Sequence, residues 1–379
     1  MSLVLTEDQE MLREAASGFL SEKSPISAFR KLRDDEVVQG FSPELWKEMA
    51  EMGWAGIAVP EAHGGSDFGL VGAGILAEEM GRHLVASPFL ASAVMAATAL
   101  TKVASDEQAA PYLSALAGGE SLFAIAMDEG PKHRPDRTSL LAERSGNGFR
   151  LTGKKTFVAD GHVADHLIVA ARTAGQPGET EGITLFIVDA SSENVSRSKT
   201  AMVDSRNAAE IDFNGVEVTS DAVIGSVDEG WDGLQKILNA GRAVLAAEMV
   251  GSADQAFGMT MDYIRERKQF GVPVGAFQAL QHRAAHLYCE LEICRAVVLD
   301  ALQALDGEDD DAARKVSLAK AKVTQVALIA AQEGIQMHGG MGMTDAFDVG
   351  LYIKRIKVAG EMLGDASFHG EALARELGF

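Results

Sequence analysis

The spacing of apolar residues changes twice along the 379 residues of this chain. From residue 1 to about 118 the repeat is helical: Leu12, Ala15, Ala16 and Phe19 recur at i, i+3, i+4 and i+7. Ser42, before ELWKEMAEMGW, is placed to cap a helix, with Glu44 in its first turn. From 121 to about 225 the repeat becomes two. SLFAIAMD, TSLLAER, FRLTG, DHLIVAAR, GITLFIVDA and AEIDFNGVEV are short β-branched or alternating runs. Gly146-Asn147-Gly148, the run Gly175 to Gly178 and Asn214-Gly215 punctuate them. From 228 onward helices return and lengthen. They are expected near 231–267, 277–305 and 311–337, followed by short ones from about Phe347 and Ala366.

Strands this close together, without helices between them, argue for an antiparallel barrel or sandwich. Long helices joined by short loops argue for a four-helix bundle. The acidic run DGEDDD (306–311) is expected to cap the third long helix. The predicted fold is therefore α+β and multidomain. It has an N-terminal helical domain over 1–119, a middle antiparallel β-barrel or sandwich over 120–226, and a C-terminal four-helix bundle over 227–379. The length suits two or three domains.

Charge narrows the partners. With 34 basic and 55 acidic residues the net charge is −21. Such a chain repels phosphate backbones and anionic lipid, so neither nucleic acid nor a membrane surface is expected. No apolar run approaches the roughly 18 residues of a membrane span. The first residues lack a basic segment followed by an apolar block, so the predicted location is cytoplasmic. Cys289 and Cys294 read as small core-filling thiols rather than a disulfide.

Several chemistries lack support. His282 and His286 share a helix face, but no HExxH glutamate or third ligand accompanies them, so no metal is expected. GxSxG, the Walker loop and kinase signatures are absent. The Gly-rich PEAHGGSDFG (60–69) has neither the order nor the preceding strand of a dinucleotide loop.

Two stretches say more. In RERKQFGVPVGAFQ (265–278), Arg265, Arg267 and Lys268 crowd a helix end, and Gly271 and Pro273 break it. Cations there complement the helix dipole. Together with Phe270, Phe277, Gln269 and Gln278 they also suit a pyrophosphate joined to a flat ring system. In IQMHGGMGMTD (335–345), Gly339 can be a helix cap, or Gly339-Gly340 can admit a ligand close to the backbone, with Gln336 one turn back as a donor.

At these motifs the chain resembles the acyl-CoA dehydrogenase family. RERKQFG is similar to its Arg-Lys-x-Phe-Gly turn, and QMHGGMG to its Gln-x-x-Gly-Gly loop. LWKEMAEMGWAGIAVPEAHGG and LTGKKTFVADGHVADHLIVAAR match in order and spacing, so the likeness covers nearly the whole chain. The resemblance implies a FAD flavoprotein that desaturates an acyl-CoA thioester at Cα–Cβ. A carboxylate takes the α-proton, the β-hydrogen leaves as hydride to the flavin, and electrons pass to an electron-transfer flavoprotein. It also implies a tetramer. Carried over by motif, Arg267 holds the FAD pyrophosphate across a subunit boundary, with Lys268, Gln269 and Phe270 beside it. Phe277 and Gln278 fall at further flavin contacts. Gln336, Met337, Gly339 and Gly340 fall along the adenosine side, and Phe157, Val158 and Ala159 over the flavin ring. Arg242 matches the arginine near the substrate thioester.

The chain departs from the family where the proton is taken. Counting from Gly339-Gly340, the usual base position is Leu363; the alternative position is Gly241. Neither can accept a proton. Glu361 lies two residues before Leu363, about 200° away around a helix. Glu248 shares the face of Gly241, roughly 10 Å further along, and is either a displaced base or a paired structural carboxylate. The family's Thr-Glu-Pro segment reads MDEGPKHRPD (127–136), with Met127 at the threonine, and the threonine over the flavin is Ala159. Three readings follow. One is an active dehydrogenase with a displaced base, Glu248 or Glu361, working as a homo-tetramer. The second is a degenerate subunit of a hetero-oligomer, serving a catalytic paralogue. The third is a non-redox scaffold that binds acyl-CoA or FAD.

Overall fold

The computed structural model describes residues 3–379; the readings that touch Met1 and Ser2 lie outside the described residues. The helices, in order, are α1 (Glu7–Lys23), α2 (Ile26–Asp34), α3 (Pro43–Glu51), α4 (Gly69–Arg82), α5 (Ala97–Lys102), α6 (Asp106–Ala117), α7 (Gly230–Glu266), α8 (Gln278–Asp306), α9 (Ala312–His338), α10 (Val349–Glu361) and α11 (Ala366–Glu376). The strands are β1 (Phe123–Ala126), β2 (Leu141–Ser145), β3 (Gly148–Ala159), β4 (His166–Arg172), β5 (Ile183–Asp189), β6 (Val195–Lys199), β7 (Ala208–Thr219), β8 (Val223–Ile224), β9 (Lys268–Gln269) and β10 (Val272–Pro273). Helical segments thus flank a middle sheet. By compactness the chain divides into two units: Met1–Lys31, Gly74–Val85 and Arg242–Phe379 form one, and Leu32–Ala73 with Ala86–Gly241 the other.

The second unit holds an eight-stranded sheet in the order β6-β7-β3-β2-β4-β5-β8, with β1 also on β4. The sheet is open, which corrects the expected closed barrel, and it is mixed rather than antiparallel. Both β1 and β2 run parallel to β4, because the β2–β3 hairpin separates β1 from the strand it joins. The alternating runs bury Phe149, Leu151, Phe186, Ile211 and Phe213 on one side, and Phe149 meets Phe186 edge-on at 5.1 Å. Strand β6, VSRSK, escapes the sequence reading because it is an edge strand with no apolar repeat; its exposed basic residues suit an edge that must not recruit another strand. In the same unit Ser42 caps α3 as expected, its Oγ accepting the Leu45 amide at 3.2 Å.

In the first unit α8 and α9 pack as a pair, and α10 and α11 both pack on α9. Along α1, Ala16 and Leu20 are buried while Ala15 is exposed, so the seam lies one residue round from the expected one. Asp311 does not cap α9 with its side chain; Asp309 instead accepts the Asp311 amide at 3.0 Å and pairs with Lys315 at 3.1 Å.

The end of α4 crosses α7 at two glycines. A Cβ at Gly81 would stand 2.0 Å from the Glu248 carbonyl oxygen, and one at Gly251 would stand 1.8 Å from that of Glu78. Around this crossing Arg82 pairs with Glu78, Glu79 and Asp254, and Arg295 of α8 pairs with Glu78 and Asp254. Replacing a helical glycine by alanine ordinarily stabilises by about 1 kcal/mol. Here the backbone contact reverses the sign: Gly251→Ala is expected to lower stability by roughly 1–3 kcal/mol in denaturant unfolding.

Candidate active site

The turn between α10 and α11 carries the position where the family's base is expected. Helix α10 ends at Glu361, and Leu363 follows at φ +59°, a left-handed conformation that costs a side-chain-bearing residue on the order of 1 kcal/mol. Gly364, at φ +107°, has no alternative: a Cβ there would lie 2.5 Å from Phe368 and 2.8 Å from His369. The Leu363 carbonyl accepts from Arg242 Nε at 3.0 Å and meets His369 Nε2 at 3.2 Å. The Arg242 guanidinium also lies 5.5 Å over the Phe368 ring. The Leu363 side chain is buried, 4% exposed.

The same turn rests on Lys320, which is fully buried on α9. Its Nζ donates to the carbonyls of Ala359 (3.0 Å), Gly360 (3.1 Å) and Gly364 (3.1 Å). Two of these belong to the last turn of α10, whose carbonyls have no partner within the helix. Burial pushes the ammonium down to about 7, with Arg242 adding to the effect and Glu361 and Asp365 opposing it. Sequence reasoning passed over Lys320, though a signal was present. In VSLAKAKV it shares a helix face with Val316, Ala319, Val323 and Ala327, and a cation on an apolar face must find acceptors.

The two candidate carboxylates are both engaged. Glu248 on α7 forms a bidentate ion pair with the buried Arg355 of α10, Oε1 to Nε at 2.7 Å and Oε2 to Nη2 at 2.9 Å. This is the geometry of the paired structural carboxylate. Glu361 is exposed and bonds Lys357, one turn back on its own helix, at 2.8 Å. Gly241 is buried and offers no side chain.

The cofactor candidates fall into two groups. The first starts where α7 ends. Strands β9 and β10 make a two-residue hairpin, with Phe270 and Gly271 both at positive φ (+55° and +83°) as such tight turns require. Phe270, 91% exposed, stands edge-on to Phe277 at 6.2 Å. Arg267, Lys268, Gln269 and Gln278 are exposed, and neither Arg267 nor Lys268 makes an ion pair among the described residues. At the end of α9, Gln336 is exposed, Met337 is buried, and Gly339 turns the chain at φ +61° with Gly340 open beside it. The neighbouring His338 stacks on Tyr263 at 4.3 Å, and Phe347 stands edge-on to both rings. The Tyr263 carbonyl accepts the Arg267 amide at 2.8 Å, so one aromatic cluster ties the two motifs together. The second group belongs to the sheet unit. A bulge in β3 between Lys155 and Val158 gives Phe157 a φ of +51° and leaves it 53% exposed, while Val158 is buried and Ala159 half-buried. Lys155, fully buried, bonds Glu129 at 2.7 Å and the Met127 carbonyl at 3.0 Å. Burial alone would raise the Glu129 carboxyl; Lys155, Ser139 and the Leu140 amide together hold it below the ordinary value. Glu129 is the one glutamate of the segment 127–136. Among the described residues no group of side chains is arranged to hold a metal ion, and His282 and His286 are both exposed.

Comparison with known proteins agrees over the whole chain. Family models described as acyl-CoA dehydrogenase N-terminal, middle and C-terminal domain match residues 6–120, 124–216 and 228–378. Mitochondrial isovaleryl-CoA dehydrogenase of Pongo abelii is 31% identical over 366 residues, covering 93% of this chain and 85% of the relative. The chain belongs to the acyl-CoA dehydrogenase family. Among solved structures, the Tcur3481-Tcur3483 steroid acyl-CoA dehydrogenase superposes with a TM-score of 0.88 at 28% identity, covering 98% of each chain. The ChsE4-ChsE5 complex from Mycobacterium tuberculosis gives 0.89 at 26% identity, covering 100% of this chain and 99% of the other. No described helix is long and apolar enough to cross a membrane.

Two outcomes follow for this dehydrogenase-family site. Removing one partner of a buried ion pair strands the other, so Glu248→Ala should lower stability by about 3 kcal/mol in denaturant unfolding. The ammonium of Lys320 is easier to deprotonate folded than unfolded, so the unfolded state binds the extra proton between pH 7 and 10. Stability of the wild-type chain, compared with Lys320→Met, should therefore rise with pH across that window.

Proposed function

We propose that this chain is one subunit of a two-chain, FAD-dependent acyl-CoA dehydrogenase. It supplies flavin-holding groups, and a paralogous chain supplies the base. The observation that carries the reading is the buried Leu363 at the base position, with Gly241 at the alternative and the two nearby carboxylates spent on Arg355 and Lys357. The exposed hairpin supports it further, because Arg267, Lys268 and Phe270 face outward, as donation to a neighbouring subunit requires. Two of the similar solved structures, Tcur3481-Tcur3483 and ChsE4-ChsE5, are themselves named as pairs.

The residues fit the cofactor. Two cations without ion-pair partners, two exposed glutamine amides and a pair of exposed rings are the donor set for a pyrophosphate attached to a flat ring system. Arg267 and Lys268 would hold the pyrophosphate, and Gln278 and Gln336 would donate to phosphate or ribose. FAD, when bound, accepts the β-hydrogen as hydride. Arg242 donates its Nε–H to the Leu363 carbonyl and so helps to orient the turn. The substrate class is an acyl-CoA, the electron acceptor is an electron-transfer flavoprotein, and the complex works in the cytoplasm.

Purification with and without a co-expressed paralogue tests this. Flavin absorbance that bleaches with acyl-CoA should appear in the complex, and the chain alone should turn over no substrate. Full activity of the isolated chain would overturn the reading. Within the complex, Arg267→Ala should weaken FAD binding roughly 10- to 100-fold, the worth of one charge-assisted hydrogen bond. Glu361→Gln should leave turnover unchanged.

A further inference from the structure

We propose that Lys320 is a positioning residue for residue 363: its ammonium joins the end of α10 to the start of α11 and so fixes where the side chain at 363 points. Three features carry this. The contacts straddle the turn, with Ala359 and Gly360 before it and Gly364 after it, so residues 361–363 are closed into a loop by one cation. The ammonium has three donors, and its three short contacts are to these carbonyls, with the Thr324 hydroxyl further off at 3.4 Å. The loop holds Leu363 at positive φ, a conformation that persists only where its surroundings over-determine it. Arg242 and His369 hold the Leu363 carbonyl, and Lys320 adds the carbonyls on either side of it, Ala359 and Gly360 before and Gly364 after.

The ammonium also sets the field at this position. The charged groups facing it are Arg242 from α7, Arg355 and Glu361 from α10 and Asp365 from α11, with His369 of α11 on the adjoining carbonyl. A carboxylate placed at 363 titrates below the range in which Lys320 loses its proton, so it meets a positive charge beside its own backbone. The importance of residue 363 to catalysis rests on the family reading above; the clamp itself does not.

The test uses the full chain and needs no substrate. Amide hydrogen exchange across 359–366 is compared in wild type, Lys320→Gln and Lys320→Met. Protection of this segment, including the Met362 amide that bonds Val358, should fall in that order by at least about tenfold, while the rest of α9 holds. The glutamine variant keeps two donors, so it reports on the clamp if the methionine variant does not fold. In parallel, Leu363→Glu is titrated by carbon NMR with and without Lys320→Gln. Loss of the cation should raise the carboxyl midpoint by roughly one pH unit, a shift that loosened packing elsewhere would not produce. Unchanged exchange across 359–366 overturns the clamp, and an unchanged carboxyl midpoint overturns the positioning of 363. Failure to find a flavin-bearing complex would remove the functional reading and leave both of these results standing.

Discussion

One buried lysine, Lys320, bonds both sides of the turn between α10 and α11. Helix α10 is 13 residues long, and its C-cap residue Met362 donates its amide to the Val358 carbonyl. Its terminal carbonyls would be stranded in the interior, where an unmet acceptor costs on the order of 1–3 kcal/mol. Lys320 answers two of them and the first carbonyl beyond the turn. The helix end in turn gives the lysine what a buried cation needs, since the partial negative charge of a helix C-terminus falls at its head. Arg355 on Glu248 and Arg242 on the Leu363 carbonyl extend the same arrangement to α7.

That scaffold holds the turn around the buried Leu363. The turn is held through backbone carbonyls, and their bonding does not depend on which side chain stands at 363. A change of side chain at 363 therefore leaves the bonds of the neighbouring arginine and of the helix junction in place. The cofactor motifs have separate supports. The hairpin is set by a two-residue turn with positive φ at both residues, and the Gly-Gly loop is tied back to it by Tyr263, His338 and Phe347. The hairpin with its Gly-Gly loop and the turn at 363 thus rest on different contacts.

Much of this was legible in the sequence where the signal is local. The long helices α7, α8 and α9 begin and end within a residue or so of where their apolar period starts and stops, and Ser42 caps α3. The runs that form β1 to β5 and β7 were legible too; β6, whose polar sequence has no buried face to betray it, and the two-residue β8, β9 and β10 were not. The parallel pairing of β1 and β2 with β4 was not, because direction depends on which strand a run finds as neighbour. Nor was the choice between the two roles open to Glu248, which needed the position of Arg355, 107 residues away.

The amino-acid sequence by itself determined the order of helical and strand blocks, the family motifs around Arg267 and Gln336, and the absence of a carboxylate at 241 and 363. Periodicity and side-chain identity are properties of neighbouring residues. Only the tertiary structure decided that the sheet stays open, that Glu248 is bound to Arg355, and that Lys320 closes the turn at 363. Each of these is a contact between distant segments, and its energy comes from burial and hydrogen bonding that exist only once those segments have met.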